Sequence, residues 1–130
     1  MKIKLLTICL IVALVFAITV TFTFTAVAKI KYVRIDDAPN GDGYEVDTHS
    51  MTAGETLTVY AVGYTAAWIY ESNETVTWSG TGVVTGPDLS PISGTSTTFT
   101  AATAGDGTIT ADHATVTDDT TGTITVTPVS

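Results

Sequence analysis

The chain has 130 residues, a formal net charge of −8 and a single cysteine. Its five basic residues, Lys2, Lys4, Lys29, Lys31 and Arg34, all precede the thirteen acids, so a product beginning at Lys29 holds three cations against thirteen carboxylates, net −10. Such a surface repels phosphate backbones and anionic lipid, which excludes a nucleic-acid-binding role, and the lone Cys9 excludes an intramolecular disulfide.

Residues 1–28 read as a signal peptide or a membrane anchor. Lys2 and Lys4 make a basic start, residues 5–28 carry no charge, and Ala26-Val27-Ala28 is a small-residue cleavage site before Lys29. Uncleaved, twenty-four uncharged residues would form a helix of about 36 Å, long enough to cross a bilayer. Within this run Thr19-Val20-Thr21-Phe22-Thr23-Phe24-Thr25 alternates as a strand does. Val15-Phe16-Ala17 offers an earlier cleavage site, and a start at Ile18 would free that strand to complete a neighbour's sheet. Cys9 follows Ile8 instead of a small residue, so lipoprotein processing is not expected.

Residues 29–130 suit one domain. Thr makes up about a fifth of the chain and, with Val, favours pleated strands. A first strand is predicted over 30–35, followed by a turn-rich loop over 36–43 with Asn40-Gly41 and Asp42-Gly43. A weak extended segment covers 44–51, and Ala53-Gly54 turns the chain. The clearest strand is 55–64, with Leu57, Val59 and Ala61 on one face. Residues 64–73 form a loop or short edge strand, and 74–78 another strand, broken at Gly80 and Gly82. A Pro87- and Pro91-containing loop over 86–94 leads to a strand over 97–101. Residues 104–107 make a tight connection before a strand over 108–111; a turn over 118–122 precedes the closing strand, 123–127, with Ile124 and Val126 inward. Short strands between frequent Gly and Pro turns indicate an all-β sandwich of about seven strands.

Four stretches resemble bacterial immunoglobulin-like domains of group 2, the invasin and intimin type. Ala53-Gly54-Glu55-Thr56-Leu57-Thr58-Val59 is similar to that family's entry to its second strand, and Val76-Thr77-Trp78-Ser79 to its V-T-W-S strand. Thr97-Thr98-Phe99-Thr100-Ala101 with Ala104-Gly105-Asp106-Gly107-Thr108-Ile109-Thr110-Ala111 resembles its hairpin, and Thr121-Gly122-Thr123-Ile124-Thr125-Val126 its closing strand. The 36–41 and 60–64 segments also resemble repeats of archaeal surface proteins. The resemblance covers about residues 30–128 and implies an immunoglobulin-like sandwich used as a spacer or adhesive module, with no catalytic residues.

The candidate site residues are few. Asp36, Asp37, Asn40 and Asp42, with Glu45 and Asp47 nearby, form an oxygen-rich loop of the chemistry calcium takes, without EF-hand spacing; Asx residues also favour turns without metal. Tyr64, Trp68 and Tyr70 are aromatic ligand candidates or an edge cap. Asn73-Glu74-Thr75 is a glycosylation sequon. Trp78 and Phe99 are expected in the core. His49 and His113 have no partner at zinc-ligand spacing, and no G-x-S-x-G elbow presents a nucleophile.

The sequence thus points to a non-catalytic immunoglobulin-like module, secreted or on the cell surface by the general secretory route. It would serve as a spacer or in adhesion, with cell-surface proteins, polysaccharide or copies of itself as partners. The alternatives are a filament subunit assembled by donor-strand exchange and a carbohydrate-binding module. No cofactor is implied; the acidic loop, read as turns, offers calcium as its alternative.

Overall fold

The computed structural model describes residues 29–130. The signal or anchor segment, Cys9 and the alternating run over 19–25 lie outside the described residues. The described chain is all β apart from one 3-10 turn, Gly86–Asp88. Its strands are β1 Tyr32–Asp36, β2 His49–Thr52, β3 Thr56–Tyr64, β4 Tyr70–Asn73, β5 Val76–Gly82, β6 Leu89–Ser90, β7 Ser93–Gly94, β8 Ser96–Thr100, β9 Gly105–Asp112, β10 Asp119–Thr120 and β11 Ile124–Thr127.

These make two sheets. One runs β1-β3-β8-β6, with β4 also on β3; the other runs β2-β11-β9-β5-β7, with β10 also on β9. All pairings are antiparallel except β11 with β2. Eleven segments replace the expected seven or so because three of them, β6, β7 and β10, are only two residues long.

Alternation decides what is buried. Val33 and Ile35 of β1, Val59 and Ala61 of β3 and Phe99 of β8 meet Trp78 of β5, Ile109 and Ala111 of β9, and Ile124 and Val126 of β11 between the sheets. Burying each large aliphatic side chain contributes about 1.5–3 kcal/mol. Trp78 is 3% exposed and its indole N–H donates to the Gly94 carbonyl at 3.2 Å. On the outer faces threonines pair directly across strands: the hydroxyls of Thr58 and Thr98 lie 2.8 Å apart, Thr81 and Thr108 2.7 Å, Thr110 and Thr120 2.9 Å. Each such pair adds roughly 0.2–1 kcal/mol.

Two breaks expected from glycine are absent. β5 continues to Gly82, and β9 already begins at Gly105. Gly80 sits opposite Ile109 in the ladder, and a Cβ there would lie 2.5 Å from the Val84 side chain. It is a site of close approach, where Val84 folds onto the strand, and not a strand end.

The register fixes a long axis. β1 starts beside the end of β3, Tyr32 opposite Tyr64. β11 ends beside the end of β2, Thr127 opposite Thr52, and the turn after Thr52 leads into the start of β3. The chain therefore enters at one end of the sandwich and leaves at the other, separated by the nine residues of β3, about 26 Å.

Candidate functional site

The residues with the most distinctive chemistry gather at the entry end and on the adjoining outer face of β1 and β3. Tyr32, Arg34 and Asp36 alternate with Val33 and Ile35, so they point away from the core. Opposite them on β3 are Tyr64, Val62 and Tyr60. This outward face is nevertheless covered. Val62 and Asp36 are both fully buried, and the 37–44 loop folds back toward this face, onto Arg34, Tyr70 and Asn73.

Several bonds hold that loop in place. The Asn40 backbone N–H donates to Asn73 Oδ1 at 2.9 Å, and Asn73 Nδ2 donates to Asn40 Oδ1 at 2.7 Å. Asp37 Oδ1 accepts the Tyr44 N–H at 2.8 Å. Gly41 has φ +74°, and a Cβ there would lie 2.7 Å from Cβ of Tyr70. Only glycine both adopts that backbone easily and lets the loop rest on the ring.

Beneath the loop Arg34 forks onto Asp36, Nε to Oδ1 at 2.5 Å and Nη2 to Oδ2 at 3.0 Å. Arg34 Nη2 also donates to the Tyr64 hydroxyl at 2.8 Å, which itself donates to Asp36 Oδ2 at 2.5 Å. The guanidinium lies 4.5 Å from the Tyr64 ring centroid. Hydrogen bonding to Asp36 raises the Arg34 pKa, against the opposing effect of burial. Burial first, and then the bond to Asp36, push the Tyr64 hydroxyl up to about 12. At the free edge of β1, Asp119 Oδ2 accepts the Ile35 N–H at 2.7 Å and ties β10 to β1. Burial raises the Asp119 pKa, opposed by the N–H groups of Ile35 and Thr120.

The β3–β4 hairpin loop presents the aromatic patch. Thr65 closes it: its Oγ1 accepts the N–H groups of Ala67 and Ile69, both at 3.3 Å, and its carbonyl accepts the Trp68 N–H at 3.0 Å. Trp68 is thereby held at φ +59°, a left-handed conformation that costs a bulky residue about 1–2 kcal/mol. Stacking on Tyr32, with ring centroids 4.7 Å apart and planes 8° apart, offsets part of that cost. Tyr64 meets Trp68 at a tilt, 5.9 Å away. Trp68 remains 55% exposed and Ile69 64%.

Beside this patch a cavity of about 370 Å³ is lined by Lys29, Lys31, Tyr32, Ala66, Val116 and Thr117. His113 shapes its wall. His113 Nδ1 accepts the N–H groups of Thr115 and Val116, both at 3.2 Å, so the ring proton sits on Nε2 and is donated to Glu74 Oε2 at 3.2 Å. Ser72 donates its hydroxyl to the other oxygen of Glu74. That serine proton is directed to a carboxylate and not to the imidazole, the reverse of what an activated nucleophile needs.

The sequence-predicted residues therefore divide. Tyr64 and Trp68 come together, Tyr64 buried and Trp68 exposed; Tyr70 is opposite Tyr64 in the ladder, with its ring against Gly41. The four calcium candidates do not converge: Asp36 is paired with Arg34, Asp37 with the Tyr44 N–H and Asn40 with Asn73. Among the described residues no group of three His, Cys, Asp or Glu side chains is placed to hold a metal ion. Asn73 is on β4, its amide engaged with the acidic loop. Phe99, like Trp78, is in the core. Tyr32, Arg34, Ile69, Lys29 and Lys31 are not among the sequence-predicted site residues. The available signal was the position of every cation of the domain within six residues of its start. Comparison with known proteins finds no matching family model and no matching curated relative.

Proposed function

We propose that this chain is a non-catalytic, exported immunoglobulin-like module that works as a spacer at the cell surface. The observation that supports it most is the path of the chain, in at the Tyr32 end of the sandwich and out at the Thr127 end. A module threaded in this way holds whatever is joined or bound at its far end about 26 Å from its origin. The core, the threonine pairs and the Arg34–Asp36–Tyr64 network serve rigidity, which a spacer needs. The bonding of Ser72, Glu74 and His113 supports a structural role for these groups, without an activated nucleophile. Residues 1–28 supply the export signal or anchor in this reading.

The test is an epitope placed after Ser130 in the full chain, probed on intact cells. Labelling without lysis is the expected result. An epitope reached only after lysis removes the surface reading. A carbohydrate-binding role has one specific observation in its favour, the exposed indole of Trp68 braced on Tyr32. It predicts that Trp68→Ala abolishes retention on a polysaccharide matrix.

A further inference from the structure

The entry end of the sandwich combines three features that nothing so far uses together. It bears all the cations of the described residues: Lys29 and Lys31 at the cavity and Arg34 one step along β1. It exposes Trp68 and Ile69 side by side at a loop tip. It is also where the chain joins residues 5–28, twenty-four residues without a charge.

The tether is short. Tyr32 is four residues from Ala28, and four extended residues span at most about 14 Å. If residues 5–28 are in a bilayer, the Tyr32–Trp68 stack is held at the depth of the lipid headgroups or just above them. Trp and Tyr favour that zone, since each joins an apolar ring to a polar edge. Lysines there reach lipid phosphates with their ammonium groups while their stems stay in apolar surroundings. The Ile69 side chain, 64% exposed beside Trp68, has no polar atom to offer a sugar, which favours a lipid surface over a glycan.

The charge distribution points the same way. A domain at net −10 is repelled by an anionic surface. Its cations lie at one end and Glu55, Asp88 and Asp106 at the other; Glu71, Asp112 and Asp118 stand beside the cations, so the distribution orients the domain without making that end purely basic. Beyond about 8 Å salt screens the distant acids, so the nearest charges decide the contact. In the 113–118 loop, the carboxylate of Asp118 is bonded to the His113 N–H.

We infer that the Lys29–Lys31–Tyr32–Trp68–Ile69 end of the sandwich is a membrane-facing surface, docked on the phospholipid headgroups of the bilayer that residues 5–28 enter. Trp68 and Ile69 sit at the headgroup level, Lys29 and Lys31 on lipid phosphates, and the Thr127 end points away from the membrane. This deepens the spacer reading and rests on the anchor alternative for residues 1–28.

The two tryptophans give the test. The full chain is reconstituted into phosphatidylcholine vesicles containing phosphatidylglycerol, with or without lipid brominated near the headgroup, and tryptophan emission is measured. Trp68 is expected to be quenched and Trp78, in the core, to be spared; the Trp68→Phe variant then loses the quenching. Lys29→Glu with Lys31→Glu is expected to reduce quenching on phosphatidylglycerol to the level on phosphatidylcholine alone. A chain that floats with the vesicles but is quenched equally with and without Trp68, or not at all, overturns the docking surface and leaves the spacer reading in place. A chain that does not float overturns both the docking surface and the membrane assignment. Protection of Trp68 from acrylamide quenching by a neutral polysaccharide, with no quenching by brominated lipid, overturns the proposal in favour of a glycan surface.

Discussion

Trp78 and Tyr64 are both buried aromatics with a hydrogen bond, yet they do different work. Trp78 fills the space between the sheets. Trp78→Ala removes that volume and leaves the Gly94 carbonyl without its donor, so a loss of about 3–5 kcal/mol is expected. With a total stability of about 5–15 kcal/mol, that change can unfold the domain. A thermal melt unchanged by the substitution would place the ring outside the core. Tyr64 lies on the outer face, under the loop, with a hydroxyl that resists ionisation. Its pKa in the folded state is about 12, against about 10 for an ordinary tyrosine. Below pH 10 both folded and unfolded states keep the proton. Between 10 and about 12 only the unfolded state loses it, so the stability from this group is complete below pH 10 and is lost as pH rises toward 12. A phenolate absorbance titration is expected to show one tyrosine ionising late, and Tyr64→Phe to delete that late phase. Five tyrosines ionising together in the folded protein would contradict the network.

The acidic loop shows best how an element can be read correctly as a type and missed as a role. Asn40-Gly41 and Asp42-Gly43 mark a turn-rich loop, and a loop is what forms. Its docking on β4 was not legible, because it depends on Asn73 thirty-three residues away and on the space above Tyr70 that Gly41 leaves. The one hint was Val62, an apolar residue on the outward side of β3. β3 was legible throughout, since its alternation is local. β5 and β9 were cut short because glycine reads as a breaker, and only the packed pair reveals that Gly80 makes room for Val84. The prediction at this scale concerns the loop's anchor. Asn40–Asn73 bonds and the Arg34–Asp36 pair hold it without metal, so a chelator is expected to leave the melting temperature unchanged. Metal bound only by the folded state would instead add RT ln(1 + [L]/Kd) of stability. Asn73→Ala, by contrast, is expected to cost about 1–2 kcal/mol through two lost hydrogen bonds. A large fall in melting temperature with chelator, abolished by Asp37→Ala with Asp42→Ala, would restore a calcium site.

For the whole molecule the open question is what keeps sheets with so few charged residues apart from their neighbours. The domain has no lysine after Lys31 to guard its strand margins. Length does part of that work: the marginal strands β6 and β7 are two residues each, β2 and β4 four, and β1 five. Short margins offer an incoming strand few ladder bonds. Net −10 does the rest, through repulsion between copies that acts over about 8 Å at physiological ionic strength and less at higher salt. A chain beginning at Lys29 is therefore expected to be monomeric at low salt and to self-associate weakly as salt rises. A chain beginning at Ile18 carries the alternating 19–25 run as well, a matching strand for a neighbour's sheet. Stronger association of the longer chain at every salt concentration is what a donor-strand filament requires. Light scattering on the two chains across a salt series separates the cases. Equal, monomeric behaviour of both removes the filament and leaves a spacer whose only contacts lie at its two ends.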